Sequence, residues 1–155
     1  MTDYDLTPDK PEKPKTPVQP ELEPELAEPH SILVKTGKNQ GVLSLKTGKM
    51  DPILQVAAAG HATFQAEYGQ MGHQRWGTRS KTLFSELPLF SGFREVCAYS
   101  GYDQLKAAEN IFESWRQSPA HWVWVNGPCD IWGFAMYQNA VNKLWYACGI
   151  FADRR

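Results

Sequence analysis

The sequence predicts an α+β domain, with helices on both faces of a small antiparallel sheet, behind an extended proline-rich arm. Three observations predict it. Residues 1–30 hold seven of the eleven prolines and none of the six tryptophans, so they cannot bury a core while the remaining 125 residues can. Beyond residue 50, two segments carry apolar residues at helical spacing. The C-terminal part holds two almost continuously apolar runs separated by a turn composition. A hairpin apolar on both faces needs a layer packed against each.

The arm comes first. It carries eight acids against three lysines, a net of −5, whereas the rest of the chain has a net of +4. Pro8, Pro11, Pro14, Pro17 and Pro20 recur every third residue, the period of polyproline II, so five rings would share one face. At about 3.1 Å per residue this stretch would reach roughly 40 Å. It reads as a stiff acidic spacer or, over residues 8–29, as a docking strand for a partner groove lined with aromatic side chains. Residues 31–49 follow as a connector. Ser31-Ile32-Leu33-Val34 and Gly41-Val42-Leu43-Ser44-Leu45 flank the turn-forming Thr36-Gly37-Lys38-Asn39-Gln40, which predicts a β-hairpin.

The main domain is expected over residues 50–155. Asp51-Pro52 supplies an N-cap and a first helical residue, and Ile53, Leu54, Ala57, Ala58, His61, Phe64 and Tyr68 follow at helical spacing. Gly69 and Gly72 stop that helix. Gln74 to Phe93 is read as loop-rich. A second helix starts near Ser100 or Asp103 and buries Leu105, Ala108, Ile111, Phe112 and Trp115. Ser118-Pro119 opens a short third one, which Gly127-Pro128 ends. The hairpin then runs through Ile131–Tyr137 and Leu144–Phe151, turning at Asn139-Ala140-Val141-Asn142.

Composition excludes several classes of function. The chain has 155 residues and a formal net charge of −1, so no global basic field argues for nucleic acid. No apolar run approaches the roughly 20 residues needed to span a bilayer. Met1-Thr2-Asp3-Tyr4-Asp5 has neither a basic patch nor an apolar core and does not read as a secretory signal. Cys97, Cys129 and Cys148 cannot all pair internally and contain no CxxC, so no zinc knuckle or dense disulfide framework is indicated. Hairpin register argues against a Cys129–Cys148 bond, whereas Cys97 and Cys148 could meet across the sheet.

The polar residues that could carry chemistry are His73, Glu95, Ser118 and His121. His73 follows the glycine-punctuated end of the first helix, Glu95 precedes an apolar strand-like run, and His121 lies in the helix that Pro119 opens. Neutral imidazoles can bind a metal or act as a base.

Trp115-Arg116-Gln117-Ser118-Pro119-Ala120-His121 resembles the W-x-x-S-P-x-H run of bacterial CAP-superfamily domains, the group of cysteine-rich secretory proteins, antigen 5 and group-one pathogenesis-related proteins. Further features fall in the same order. Asp51-Pro52-Ile53-Leu54 with Ala57, Ala58, His61 and Ala62 is similar to the family's first helix, which leads to a loop histidine, here His73. Arg94-Glu95-Val96-Cys97-Ala98-Tyr99 stands where the family has G-E-N-I/L-A. Ile131-Trp132-Gly133-Phe134-Ala135 and Trp145-Tyr146-Ala147-Cys148-Gly149-Ile150-Phe151 resemble its last two strands.

The resemblance covers about residues 50–152 and implies a three-layer α-β-α sandwich with a cleft of two histidines and two acids, where some members bind zinc or another divalent ion. Carried over by position, the histidines are His73 and His121 and one acid is Glu95; the second acid falls at Ser118. Arg94 and Val96 replace the Gly and Asn of the G-E-N motif. His73, His121 and Glu95 would be the metal ligands, with an open position for water.

The expectation is a non-catalytic CAP-like binding domain, tethered to a protein partner by its arm, with a degenerate cleft able to take zinc. The alternatives are a metal-dependent hydrolase of peptides or esters and an accessory structural subunit of a virion or membrane complex. Some family members carry lipids or sterols; the aromatic richness permits this, without a distinctive apolar groove. The family is mostly extracellular.

Overall fold

The computed structural model describes residues 26–155. The proline-spaced segment from Pro8 to Pro20 lies outside them. Two helices come first, α1 (Glu28–Asn39) and α2 (Leu43–Thr47), then a two-residue strand β1 (Lys49–Met50). Helices α3 (Pro52–Tyr68) and α4 (Trp76–Glu86) precede strand β2 (Phe90–Ser100). After α5 (Gln104–Arg116) and α6 (Pro119–Val125), the chain ends in β3 (Ile131–Gln138) and β4 (Trp145–Arg154). The sheet order is β1-β3-β4-β2. β2, β4 and β3 are antiparallel, and β1 joins β3 in parallel, so the sheet is mixed rather than purely antiparallel.

The hairpin forms as expected. The first six residues of β3 and the first eight of β4 are buried, and Asn139 Oδ1 accepts from the N–H groups of Val141 and Asn142 to shape the turn. Alternate strand residues feed two separate cores. Val96, Ala98, Trp132, Phe134, Met136, Ala147 and Phe151 pack against α1, α2, α5 and α6. Cys97, Ile131, Ala135, Cys148, Ile150 and Ala152 pack against α3 and α4. The molecule is therefore a three-layer α-β-α sandwich.

Helix α3 starts where its cap dictates, with Asp51 Oδ1 accepting from the N–H groups of Ile53 and Leu54 at 2.9 and 3.0 Å. It ends at Gly69, in the left-handed region at φ 63°. It lies directly on β3, because a side chain at Gly133 would collide with the backbone of Leu54 and Gln55. β1 covers only the first two residues of β3, leaving polar backbone groups open further along that edge. Side chains close it: Gln55 donates to the Phe134 carbonyl at 2.7 Å and accepts from its N–H at 3.0 Å, and His30 Nδ1 accepts from Met136 N–H.

Four expectations are corrected: the hairpin, the end of the arm, the loop before the second strand and the burial of Leu105. Residues 31–49 hold the rest of α1, all of α2 and the first residue of β1, not a hairpin, and α1 takes in residues 28–30, so the arm ends before residue 28. The buried residues of α1 are His30, Leu33, Val34, Thr36 and Gly37. Positions 30, 33, 34 and 37 make a helical stripe. Gly37 is small because α1 crosses Phe112 and Leu45 at that point, so a glycine with the look of a turn residue is a packing contact. The stretch Gln74–Phe93, expected as loop, contains α4 and the start of β2. Only Leu83 of α4 is buried, too little apolar periodicity to signal a helix. In α5, Ala107 and Ala108 face the core while Leu105 is exposed.

Candidate functional site

A cluster of polar side chains lies where α3, α4 and β2 meet. The α3 stripe facing the sheet includes His61 and Gln65 among Ala58, Ala62 and Ala66. Beyond Gly69 the chain turns back on this helix, and Gln65 Oε1 accepts from Gly72 N–H at 3.0 Å. The Gly72 carbonyl accepts from His61 Nε2 at 2.6 Å and from the Cys97 thiol at 3.4 Å. That folded-back loop delivers His73. Strand alternation in β2 puts Glu95 and Cys97 on the same face, and α4 contributes Arg79.

Glu95 is the hub. Its side chain is 1% exposed, and an ionised carboxylate in such a place is costly unless it is paired. Arg79 pairs it: Nε lies 2.9 Å from Oε2, and Nη2 lies 2.7 Å from both oxygens. This is the forked geometry in which guanidinium and carboxylate match best. Arg79 also donates to the Gln74 carbonyl, and its guanidinium stands 5.6 Å from the centre of the Trp76 ring. His73 Nδ1 donates to Glu95 Oε1 at 3.0 Å, and His61 Nε2 is 3.6 Å from the same oxygen.

The site perturbs its own titrations. Burial pushes the Glu95 carboxyl up, the neighbouring Cys97 adds to that push, and Arg79 pulls it back. The Cys97 thiol is pulled down by hydrogen bonding, first from Cys148 and then from the two imidazoles, against the effect of burial. Cys148 is pushed up by burial. Hydrogen bonding to Cys97, reinforced by Glu95 and opposed by burial, raises His73 to about 9.

His73 and Glu95 are thus brought together as the sequence suggests. Ser118 and His121 line a groove of about 470 Å³ with Met71, Cys97, Tyr99 and Trp115. Among the described residues, no hydrogen bond or ion pair joins His121 to His73 or Glu95. Cys97 connects the two halves, since it belongs to the polar cluster and also lines the groove.

His61, Glu95 and Cys97 each offer a ligand-type atom, and the three atoms lie within 4.8 Å of one another, so this buried group can hold a metal ion. As arranged, however, His61 Nε2 and His73 Nδ1 each point an N–H at an oxygen, and both oxygens of Glu95 face Arg79. The positive charge beside this carboxylate is already supplied by the protein.

From sequence, His61 reads as a stripe residue, Cys97 as a strand residue and Arg79 as loop. A histidine and a glutamine one turn apart on an otherwise alanine-rich buried stripe are a usable signal. So is the i, i+2 spacing of Glu95 and Cys97. Arg79 carries none, because nothing marks its helix.

Fold and site together define a three-layer α+β domain with an arginine-neutralised carboxylate at its centre. No family model matches the chain, and no curated protein matches it. Among solved structures it is similar to an outer surface protein from Borrelia burgdorferi, at 18% identity and a TM-score of 0.59, over 81% of this chain and 90% of that one. The likeness is one of fold. Among the described residues no helix is long and apolar enough to cross a membrane.

Proposed function

We propose that the chain is a non-catalytic binding domain of the CAP type, with the groove beside Cys97 as its recognition surface and the proline-rich arm as its tether to a protein partner. One observation carries this reading: Glu95, the carboxylate of the cleft, is buried with both oxygens held by Arg79. A general base must reach the proton it removes and be uncommitted when it does so. Glu95 meets neither condition. His73, raised to about 9, is protonated at neutral pH and is a poor base there. Ser118 and His121 sit on the groove wall, where exposed Met71 and Tyr99 offer apolar contact.

A metal-binding reading is favoured separately by the convergence of His61, Glu95 and Cys97. It requires Arg79 to release Glu95 and His61 to release Gly72, after which zinc could be held by those three groups; the expected set of His73, Glu95 and His121 does not converge, because His121 lies on the groove wall. Zinc so held would supply a Lewis acid and an activated water.

Two measurements on the full chain test the proposal. Cross-linking mass spectrometry in the native cells, using Lys10, Lys13 and Lys15 of the arm, should return one recurrent partner protein. Cross-links confined to the chain itself would remove the tether. Natively purified protein should contain no stoichiometric zinc and should not hydrolyse ester or peptide panels. Hydrolysis abolished by His73→Ala would replace the binding domain with an enzyme.

A further inference from the structure

Cys97 and Cys148 are direct partners in the register of β2 and β4. Partner residues of an antiparallel pair project to the same face, with Cα atoms about 4.5–5.5 Å apart, which lies within the roughly 4.4–6.8 Å that a disulfide spans. Both belong to the same core cluster, and both are free thiols. Their surroundings differ slightly: both are buried, Cys148 at 0% and Cys97 at 3% exposed, but Cys97 is one of the residues lining the groove, and its sulfur is in contact with His73 Nδ1 at 3.8 Å and the Gly72 carbonyl at 3.4 Å. Cys129, the third cysteine, sits in the opposite core.

We propose that Cys97 is an oxidative modification site and that Cys148 is its resolving partner, the pair cycling between dithiol and disulfide. The oxidant is a hydroperoxide small enough to enter the groove. The Cys97 sulfur attacks the distal peroxide oxygen, the O–O bond breaks, and Cys97 becomes a sulfenic acid while the remaining oxygen takes the Cys97 proton and leaves as an alcohol, or as water from hydrogen peroxide. The Cys148 sulfur then attacks the Cys97 sulfur. The S–S bond forms, the S–O bond breaks, and the hydroxyl leaves with the Cys148 proton as water. Two cysteines are oxidised by two electrons and one peroxide is reduced. The order follows from the fold, because of the two only Cys97 is among the groove-lining residues, and Cys148 stands opposite it in the strand register. Closing the bond draws the Cys97 sulfur toward β4 and away from the Gly72 carbonyl and His73, so the loop after α3 loses one of its ties.

The experiment exposes the native full chain to hydrogen peroxide, quenches it, and then denatures and alkylates it. The wild-type mass should be that of the chain less two hydrogens plus a single alkyl group, carried by Cys129, and a Cys97–Cys148 peptide should be recovered on digestion. In Cys148→Ala the Cys97 thiol should stop at the sulfenic acid and be trapped by a 1,3-diketone probe. Cys97→Ala should take up no probe at all. Wild-type protein that keeps three alkylatable thiols, or that forms a bond involving Cys129, would overturn the proposal whatever the variants do.

Discussion

The two faces of the sheet are built on different principles. Under α1, α2, α5 and α6 the filling is large and aromatic. Phe134 touches Phe112, Trp115, Trp132 and Phe151, with ring centres 5.3–6.1 Å apart. Under α3 and α4 the buried filling is aliphatic and smaller: Leu54, Leu83, Leu87, Ile131 and Ile150 among Ala58, Ala62, Ala135, Ala152 and two cysteines. Small residues bring the helix close to the sheet and leave less apolar area per residue. The same closeness lets His61, Gln65, Glu95 and Cys97 reach one another and the loop after α3. One face stabilises the molecule by removing aromatic surface from water; the other holds charge at a fixed place and depends on complete pairing.

The sharpest way to break this contrast is on the aromatic face. Phe134→Ala should cost about 3–5 kcal/mol, because the ring is fully buried and four rigid rings cannot collapse into its space. The measurement is equilibrium urea unfolding. A loss near that of an exposed residue would mean that the aromatic layer is not the main source of stability.

The second test is on the polar face. Arg79→Ala leaves a buried carboxylate without its counter-charge and should cost about 3 kcal/mol at neutral pH, the lower end for a broken buried pair, since Arg79 is itself partly exposed. The sign with pH follows from Glu95. Burial already raises its carboxyl, so ionisation costs stability as pH rises from the unfolded value through the folded one. Losing the guanidinium widens that window, and the defect should shrink on acidification. Glu95→Gln in the Arg79→Ala background should recover part of the loss. If the double variant is no more stable than the single one, the guanidinium acts by packing on Trp76 rather than by charge.

The same contrast explains what can be read from sequence. α3, α5, α6 and the terminal hairpin are legible because their apolar periodicity is set by the packing they perform, and their caps, Asp51 and Ser118-Pro119, sit at the expected positions. α1 reads as strand and turn because Ile32 and Val34 have strand propensity and Thr36-Gly37-Lys38-Asn39-Gln40 has a turn composition, and only contact with Phe112 and Leu45 turns Gly37 into an interface residue. α4 leaves no signal because it buries one side chain. His73 and Glu95 stand out as polar residues beside apolar elements, the resemblance groups them into one cleft, and their contact is direct. Arg79, which neutralises the carboxylate, is not legible: it meets Glu95 only through tertiary placement, sixteen residues away, with no motif to mark it.

The smallest expected effect concerns His73. Its ring is 47% exposed, so whatever its interactions contribute is screened by water and should stay below about 1 kcal/mol. Its direction is still definite. A histidine raised to about 9 by Cys97 and Glu95 contributes fully below its ordinary value near 6.5, and the contribution is lost as pH rises through 9. Urea midpoints of the wild type should therefore fall slightly more across that interval than those of His73→Gln. The direct reading is the C2 proton of His73 by NMR, with a midpoint near 9 that moves back toward 6.5 in Cys97→Ala. A midpoint at the ordinary value in the wild type would leave Arg79 and Glu95 as the whole electrostatic content of this face. Cys97 would then be an ordinary thiol against the Gly72 carbonyl, and the polar layer would hold one ion pair instead of a coupled set.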